Sequence, residues 1–226
     1  MSHFPLKAPL LTAVKGLLRA PARAVGLEGP IHASRRVLRE EGWLRSNRER
    51  RPVTRAGEPL PWYTYAAILF LAERLPPDAT VFEFGAGNST LWYAQRCARV
   101  LSVDPNREWA ERIAALAPPN AKVVHHAHPT GREGYLAEIA GDGTRWDVVA
   151  IDSAWRAESG RVAVQNLSDR GVIVWDNSRL PEFADDMRET FAPAGFRELP
   201  FGGLVPIVPS FDRTSVLYRP GNCLGI

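Results

Sequence analysis

The chain has 226 residues, 45% of them hydrophobic and 23% charged, which excludes a mainly disordered chain and leaves room for one well-buried domain plus an appendage. The net charge of +3 hides an asymmetry: residues 1–55 hold 12 Lys and Arg against 4 Asp and Glu (net +8), and residues 56–226 hold 16 against 21 (net −5). An acidic remainder of this kind argues against a nucleic-acid-binding core, no run of eighteen apolar residues offers a membrane span, and Cys97 and Cys223, far apart and in no metal-type spacing, suit a reducing cytoplasm.

In the basic arm, Leu10, Leu11, Val14, Leu17 and Leu18 share one helical face, with Lys7, Lys15 and Arg19 beside it. Two readings of this short amphipathic helix stay open. It docks its leucines on the protein's own domain, or it lies on an anionic membrane surface and gives an otherwise cytoplasmic protein a peripheral contact through residues 1–55. Lys15 interrupts the apolar run, so no signal-peptide core is expected. A Gly-Glu-Pro-Leu-Pro stretch from Gly57 then punctuates the chain, dividing a helical basic extension, 1–56, from a domain, 57–226.

From there the pattern alternates. A helix over 62–75 ends at Pro76-Pro77, and strands are predicted at 81–84, 100–104, 122–126, 147–152 and 171–176. Helices are predicted between them at 90–98, 108–116, 133–140 and 159–167, and another follows at 182–191. The five strands are short, rich in Val and Ile and apolar on both faces, as buried parallel strands are. Two more strands, 196–201 and 214–219, have only a proline-punctuated loop between them and should pair antiparallel at one edge. The fold class is α/β: a Rossmann-like doubly wound sheet of seven strands, mostly parallel with an antiparallel last strand.

Residues 81–90 read VFEFGAGNST. In such a sheet the ligand sits beyond the carboxyl end of the first strand, where Gly85 and Gly87 let the backbone bend and approach it. Asn88, Ser89 and Thr90 open the next helix with free N–H groups. Threonine stands where the third glycine of a dinucleotide fingerprint would be, and no Gly-Lys-Ser/Thr follows, which excludes a Walker loop. Asp104 ends the second strand, placed to accept hydrogen bonds from ribose hydroxyls. Glu83 sits inside the first strand, where a carboxylate needs a partner; it would repel a pyrophosphate and suits a ligand bearing an ammonium and a sulfonium.

Glu83-x-Gly85-x-Gly87 followed by Asp104 resembles the first two motifs of the class I S-adenosylmethionine-dependent methyltransferases. PWYTYAAILFL, VFEFGAGNSTLWYA and GVIVWDNS together are similar to a group of bacterial and plant methyltransferase-like proteins, mostly of unassigned substrate. The resemblance implies S-adenosyl-L-methionine as cofactor, with Glu83 serving its methionine end, Gly85 and Gly87 bordering it and Asp104 holding its ribose. By the same resemblance Trp62 passes over the methionine end, and His126, at the end of the third strand, lies near the adenine. Trp62 reads equally as a core aromatic, and alternation sends His125 and His126 to opposite faces, which argues against a metal cluster with His128.

The fourth and fifth strands end in Asp152 and in Asp176-Asn177. These three resemble the Mg²⁺ ligands of the catechol and caffeoyl-coenzyme A O-methyltransferases, which implies an ion that brings acceptor oxygens together and lowers a hydroxyl pKa. That family has a lysine three residues past the first acid; here the position is Trp155, followed by Arg156. Without metal, Asp152 becomes the general base, with Asp176 beside it and Arg156 or Arg161 positioning an anionic acceptor. Asp176 and Asn177 capping a turn is the structural alternative. The expected activity is methyl transfer to an oxygen of a small molecule, a sugar or a lipid-linked acceptor. Two alternatives remain: a non-catalytic module acting through the basic arm, and a nicotinamide-dependent oxidoreductase, which Glu83 and Thr90 disfavour.

Overall fold

The computed structural model describes residues 26–226; the helix predicted over residues 10–18 lies outside them. The described residues fall into two units, one ending at Glu41 and one spanning Gly42–Ile226. In the first, helix α1 (Glu28–Glu40) carries an exposed i,i+4 pair, Arg36 Nε to Glu40 Oε1 at 2.9 Å. The second unit begins ahead of residue 57, the predicted domain start. Its first helix, α2 (Trp43–Glu49), is tied to the chain that follows by Ser46, whose hydroxyl donates to Val53 O and accepts from Val53 N, both at 2.9 Å. Among the described residues no helix is long and apolar enough to cross a membrane.

Seven strands form one sheet in the order β3-β2-β1-β4-β5-β7-β6. They are β1 (Thr80–Phe84), β2 (Arg99–Asp104), β3 (Ala121–His125), β4 (Trp146–Ile151), β5 (Leu167–Trp175), β6 (Arg197–Leu204) and β7 (Phe211–Tyr218). The first five run parallel, and β7 pairs antiparallel with both β5 and β6, as the missing helix between the last two strands predicts. The helices are α3 (Tyr65–Arg74), α4 (Asn88–Ala94), α5 (Arg107–Ala114), α6 (Arg132–Ala137), α7 (Arg156–Asn166) and α8 (Pro181–Asp186). The helix predicted from 62 starts at Tyr65 because Thr64 caps it, its hydroxyl accepting from Ala67 N at 3.4 Å.

Strand alternation sorts the core into two layers. Val81, Val100, Val148 and Val174 pack with Tyr63, Leu71, Trp92 and Tyr93 on one face, and Phe82, Leu101, Val149 and Ile173 pack with Tyr135, Trp146 and Phe191 on the other. Each fully buried large side chain contributes about 1.5–3 kcal/mol. β1 and β4 lie at the centre, where the order turns from β1 to β4. The carboxyl ends of these two strands form the crevice that such a sheet offers a ligand.

Candidate functional site

The chain turns at once after β1. Gly85 takes φ +112°, and a Cβ there would lie 2.7 Å from the Asp152 carbonyl oxygen and 2.9 Å from Ser153 Cβ. The loop after β4 thus packs straight onto the turn, which glycine alone allows. Gly87 differs from what the spacing implies. Its φ of −177° is ordinary extended backbone, and a Cβ would meet nothing nearer than Ser89 Oγ at 3.7 Å. The tight bend belongs to Gly85, and Gly87 leaves open space where it lines a pocket. Thr90, in place of a third glycine, closes the turn with its side chain, accepting from Gly87 N at 3.1 Å.

Asp104 caps the same turn from β2. Its Oδ2 accepts from Ala86 N at 3.0 Å and its Oδ1 from Asn106 N at 2.8 Å. Burial raises its pKa and these two N–H groups hold it back, while each oxygen keeps a lone pair for a further donor. Trp109, on α5, donates from Nε1 to Ala86 O at 2.5 Å and leaves its indole 38% exposed.

These residues wall a pocket of about 290 Å³, together with Asp152 on the β4 side. Its outer wall is Arg50, Arg51, Pro52, Trp62 and Ile207. Three side chains hold that wall together: Asn88 Nδ2 donates to Pro52 O at 2.7 Å, Asn47 Nδ2 to Ile207 O at 2.6 Å, and Trp43 Nε1 to Val208 O at 3.2 Å. Asn88 thus spends its Nδ2 on the wall while itself lining the pocket. Arg50 and Ile207 have φ of +54° and +73°, a costly backbone for residues with a Cβ and most of all for a β-branched one. Two strained residues thus border one pocket.

Glu83 lies a layer beneath. It is 1% exposed, is not among the pocket-lining residues, and its Oε2 accepts from Ser102 Oγ at 2.6 Å. Burial lifts its pKa to about 7, opposed by the hydroxyls of Ser102, Thr90 and Ser89. Ser89 does line the pocket, so it stands between Glu83 and the cavity side of the turn.

Asp152, Asp176 and Asn177 do not converge as three ligands. Asp176 is 3% exposed and accepts from Thr214 Oγ1 at 2.6 Å; Thr214 Oγ1 in turn accepts from Thr64 N at 3.1 Å. Burial first and Asp152 second hold Asp176 well above the usual carboxylate range. Asn177 donates from Nδ2 to Asp212 Oδ2 at 3.0 Å. Between Asp152 and Asn177 sits Arg156, whose Nη2 donates to Asp152 Oδ1 at 3.2 Å and to Asn177 Oδ1 at 2.8 Å. The guanidinium fills the place an ion would need, and among the described residues no group of three His, Cys, Asp or Glu is arranged to hold one. The predicted Mg²⁺ does not fit this set. Asp152 itself lines the pocket; burial raises its pKa, Arg156 opposes the rise, and the third of its side chain that is exposed tempers both effects.

His126 is not brought to the pocket. Its Nε2 lies 3.1 Å from Glu138 Oε2, and its ring fills the space beside Gly134. Arg161 is exposed and acts on Asp186 instead. Trp109, Arg50 and Ile207 were missed as site residues. An aromatic five positions after Asp104 was a signal for the first; Ile207 is held by Asn47 from 160 residues away, and Arg50 is set by the left-handed end of α2.

No family model and no curated protein matches the sequence. Among solved structures, the chain is similar to the O-methyltransferase TomG from Streptomyces achromogenes, involved in tomaymycin synthesis and solved with SAM. The two are 18% identical with a TM-score of 0.55 over 68% of this chain and 78% of that one. It is also similar to precorrin 8W decarboxylase from Methanobacterium thermoautotrophicum (17% identical, TM-score 0.52, 73% of this chain and 94% of that one). An rRNA methylase from Streptococcus thermophilus is 14% identical with a TM-score of 0.51 over 69% of this chain and 95% of that one. The shared feature is the fold, the Rossmann-like doubly wound sheet with an antiparallel last strand.

Proposed function

We propose that the chain is an S-adenosylmethionine-dependent methyltransferase acting on an oxygen of a small molecule, a sugar or a lipid-linked acceptor. The observation that carries this reading is the pocket of about 290 Å³ at the carboxyl ends of β1, β2 and β4, with Asp104 on one wall and Asp152 on another. Its volume is near the lower end for small-molecule sites, roughly 300–1,000 Å³. Its inner lining is acidic and aromatic, which suits an adenosyl ligand carrying positive charge.

Within this reading Asp104 accepts hydrogen bonds from a ribose diol through the lone pairs that Ala86 and Asn106 leave free. The indole of Trp109 offers the flat face for a purine, a role the sequence had placed at His126. Glu83, once ionised above its raised pKa of about 7, contributes a field from behind Ser89 that favours an ammonium. The donor supplies a methyl group on a sulfonium. The chain's part is to hold an acceptor hydroxyl in line and take its proton, and Asp152 is the carboxylate on the pocket wall that can do so. Its raised pKa brings the base nearer to neutral pH.

The test is ligand selectivity. S-adenosylhomocysteine should raise the melting temperature of the chain while NAD leaves it unchanged; stabilisation by NAD alone would replace this reading with the oxidoreductase one.

A further inference from the structure

Asp152 follows β4 directly and Asn177 follows β5 by two residues, so the adjacent strand ends bring an acid and an amide oxygen side by side. Arg156 reaches both with one nitrogen, at 3.2 and 2.8 Å. Local geometry puts it there. Trp155 takes φ +53°, its ring stacked on His128 at 4.7 Å and edge-on to Tyr135 at 5.1 Å, and α7 starts at the next residue. That start leaves Arg156 four residues past Asp152, turned back within reach of it. Nη2 is thus shared between two acceptors, and the planar, permanently charged guanidinium fixes where that nitrogen lies. The Arg156 Nε is buried without a hydrogen-bond partner, and the side-chain bonds of the group run through Nη2.

The third oxygen donor is committed elsewhere. Asp176 is tied to Thr214, and Asn177, at φ +57°, is tied to Asp212. A hard divalent ion needs oxygens at about 2.0–2.1 Å in near-octahedral order, and would have to enter against the fixed charge of the guanidinium.

We propose that the Arg156 guanidinium takes the place of a divalent cation between Asp152 and Asn177, closes this position to Mg²⁺, and serves as the positioning residue that orients Asp152 toward the pocket. The inference rests on these contacts and not on the identity of the methyl donor, so it survives or fails separately from the proposed function.

The experiment titrates the full chain with Mn²⁺ and counts free ion by electron paramagnetic resonance, using wild type, Asp152→Asn, Arg156→Met and the double variant Arg156→Met/Asp152→Asn. Wild type should leave Mn²⁺ free up to about 1 mM, whereas Arg156→Met should take up one ion about tenfold more tightly and the double variant should lose it. Uptake by wild type that Asp152→Asn abolishes would overturn the proposal, and that arm needs no Arg156 variant to fold. Failure of a cooperatively melting Arg156→Met to take up Mn²⁺ would overturn it equally.

Discussion

Ser102 stands opposite Glu83 in the parallel pairing of β1 with β2, and its hydroxyl donates to Glu83 Oε2 at 2.6 Å. Thr90 extends the contact, its hydroxyl 3.1 Å from Ser102 Oγ and 3.1 Å from Gly87 N. A buried acid is thereby linked through two hydroxyls to the turn that borders the pocket. The sequence reading had Glu83 serving the ligand's methionine end; it lies one layer beneath the pocket lining.

That position has a consequence for pH. The folded-state pKa of Glu83 is raised to about 7 from an ordinary 4.5, so between those values the folded chain binds the proton that the unfolded chain releases. Stability therefore falls as pH rises from about 4.5 to 7 and is level above, a loss of about 3 kcal/mol for this one group. Glu83→Gln should be free of this component, as judged by denaturant midpoints at pH 5 and 7.5. An unchanged pH slope in the variant would show that Glu83 does not carry it.

The two glycines should respond oppositely. Gly85→Ala meets both a positive φ and the Asp152 backbone at 2.7 Å, and should cost about 2–4 kcal/mol. Gly87→Ala adds a methyl to open space and should stay within about 0.5 kcal/mol of wild type in stability. If the pocket is the ligand site, Gly87→Ala instead weakens S-adenosylhomocysteine binding. Urea melts and titration calorimetry on both variants separate the two effects.

Arg50→Gly removes an L side chain from φ +54° at an exposed helix end and should stabilise the chain by about 1 kcal/mol. The same change strips a cation from the pocket's outer wall, so affinity for a carboxylate-bearing ligand should fall as the melting temperature rises. A lower melting temperature would mean that the arginine makes contacts worth more than its strain.

Trp109→Ala should weaken binding of an adenosyl ligand by about 1–3 kcal/mol through loss of the flat wall beside Ala86. Equal affinity of variant and wild type in calorimetry would take the purine role away from this residue.

Much of the fold was legible because its signals are local. The Val- and Ile-rich runs at β1, β2, β4 and β5 are buried on both faces, and the lack of a helix between β6 and β7 announced an antiparallel pair. Asp104 ends β2 where predicted because a strand end is fixed by its own apolar run. What stayed hidden depends on contacts across the chain. Nothing near Asn88 tells that its amide goes to Pro52, nor near Asn47 that it holds Ile207. The Asp152, Asp176 and Asn177 pattern looked like a metal set because spacing cannot show that Thr214 claims Asp176, or that a left-handed Trp155 turns Arg156 back onto Asp152.

The most direct test of the central reading is calorimetric titration of S-adenosylhomocysteine into the wild-type chain and into Asp104→Ala. The ligand should bind wild type, and the variant should bind it about tenfold to a hundredfold more weakly, as expected for lost hydrogen bonds to a charged acceptor worth about 1.5–3 kcal/mol. Absence of binding to wild type, or equal affinity in the variant, would contradict the assignment of this pocket to the methyl donor.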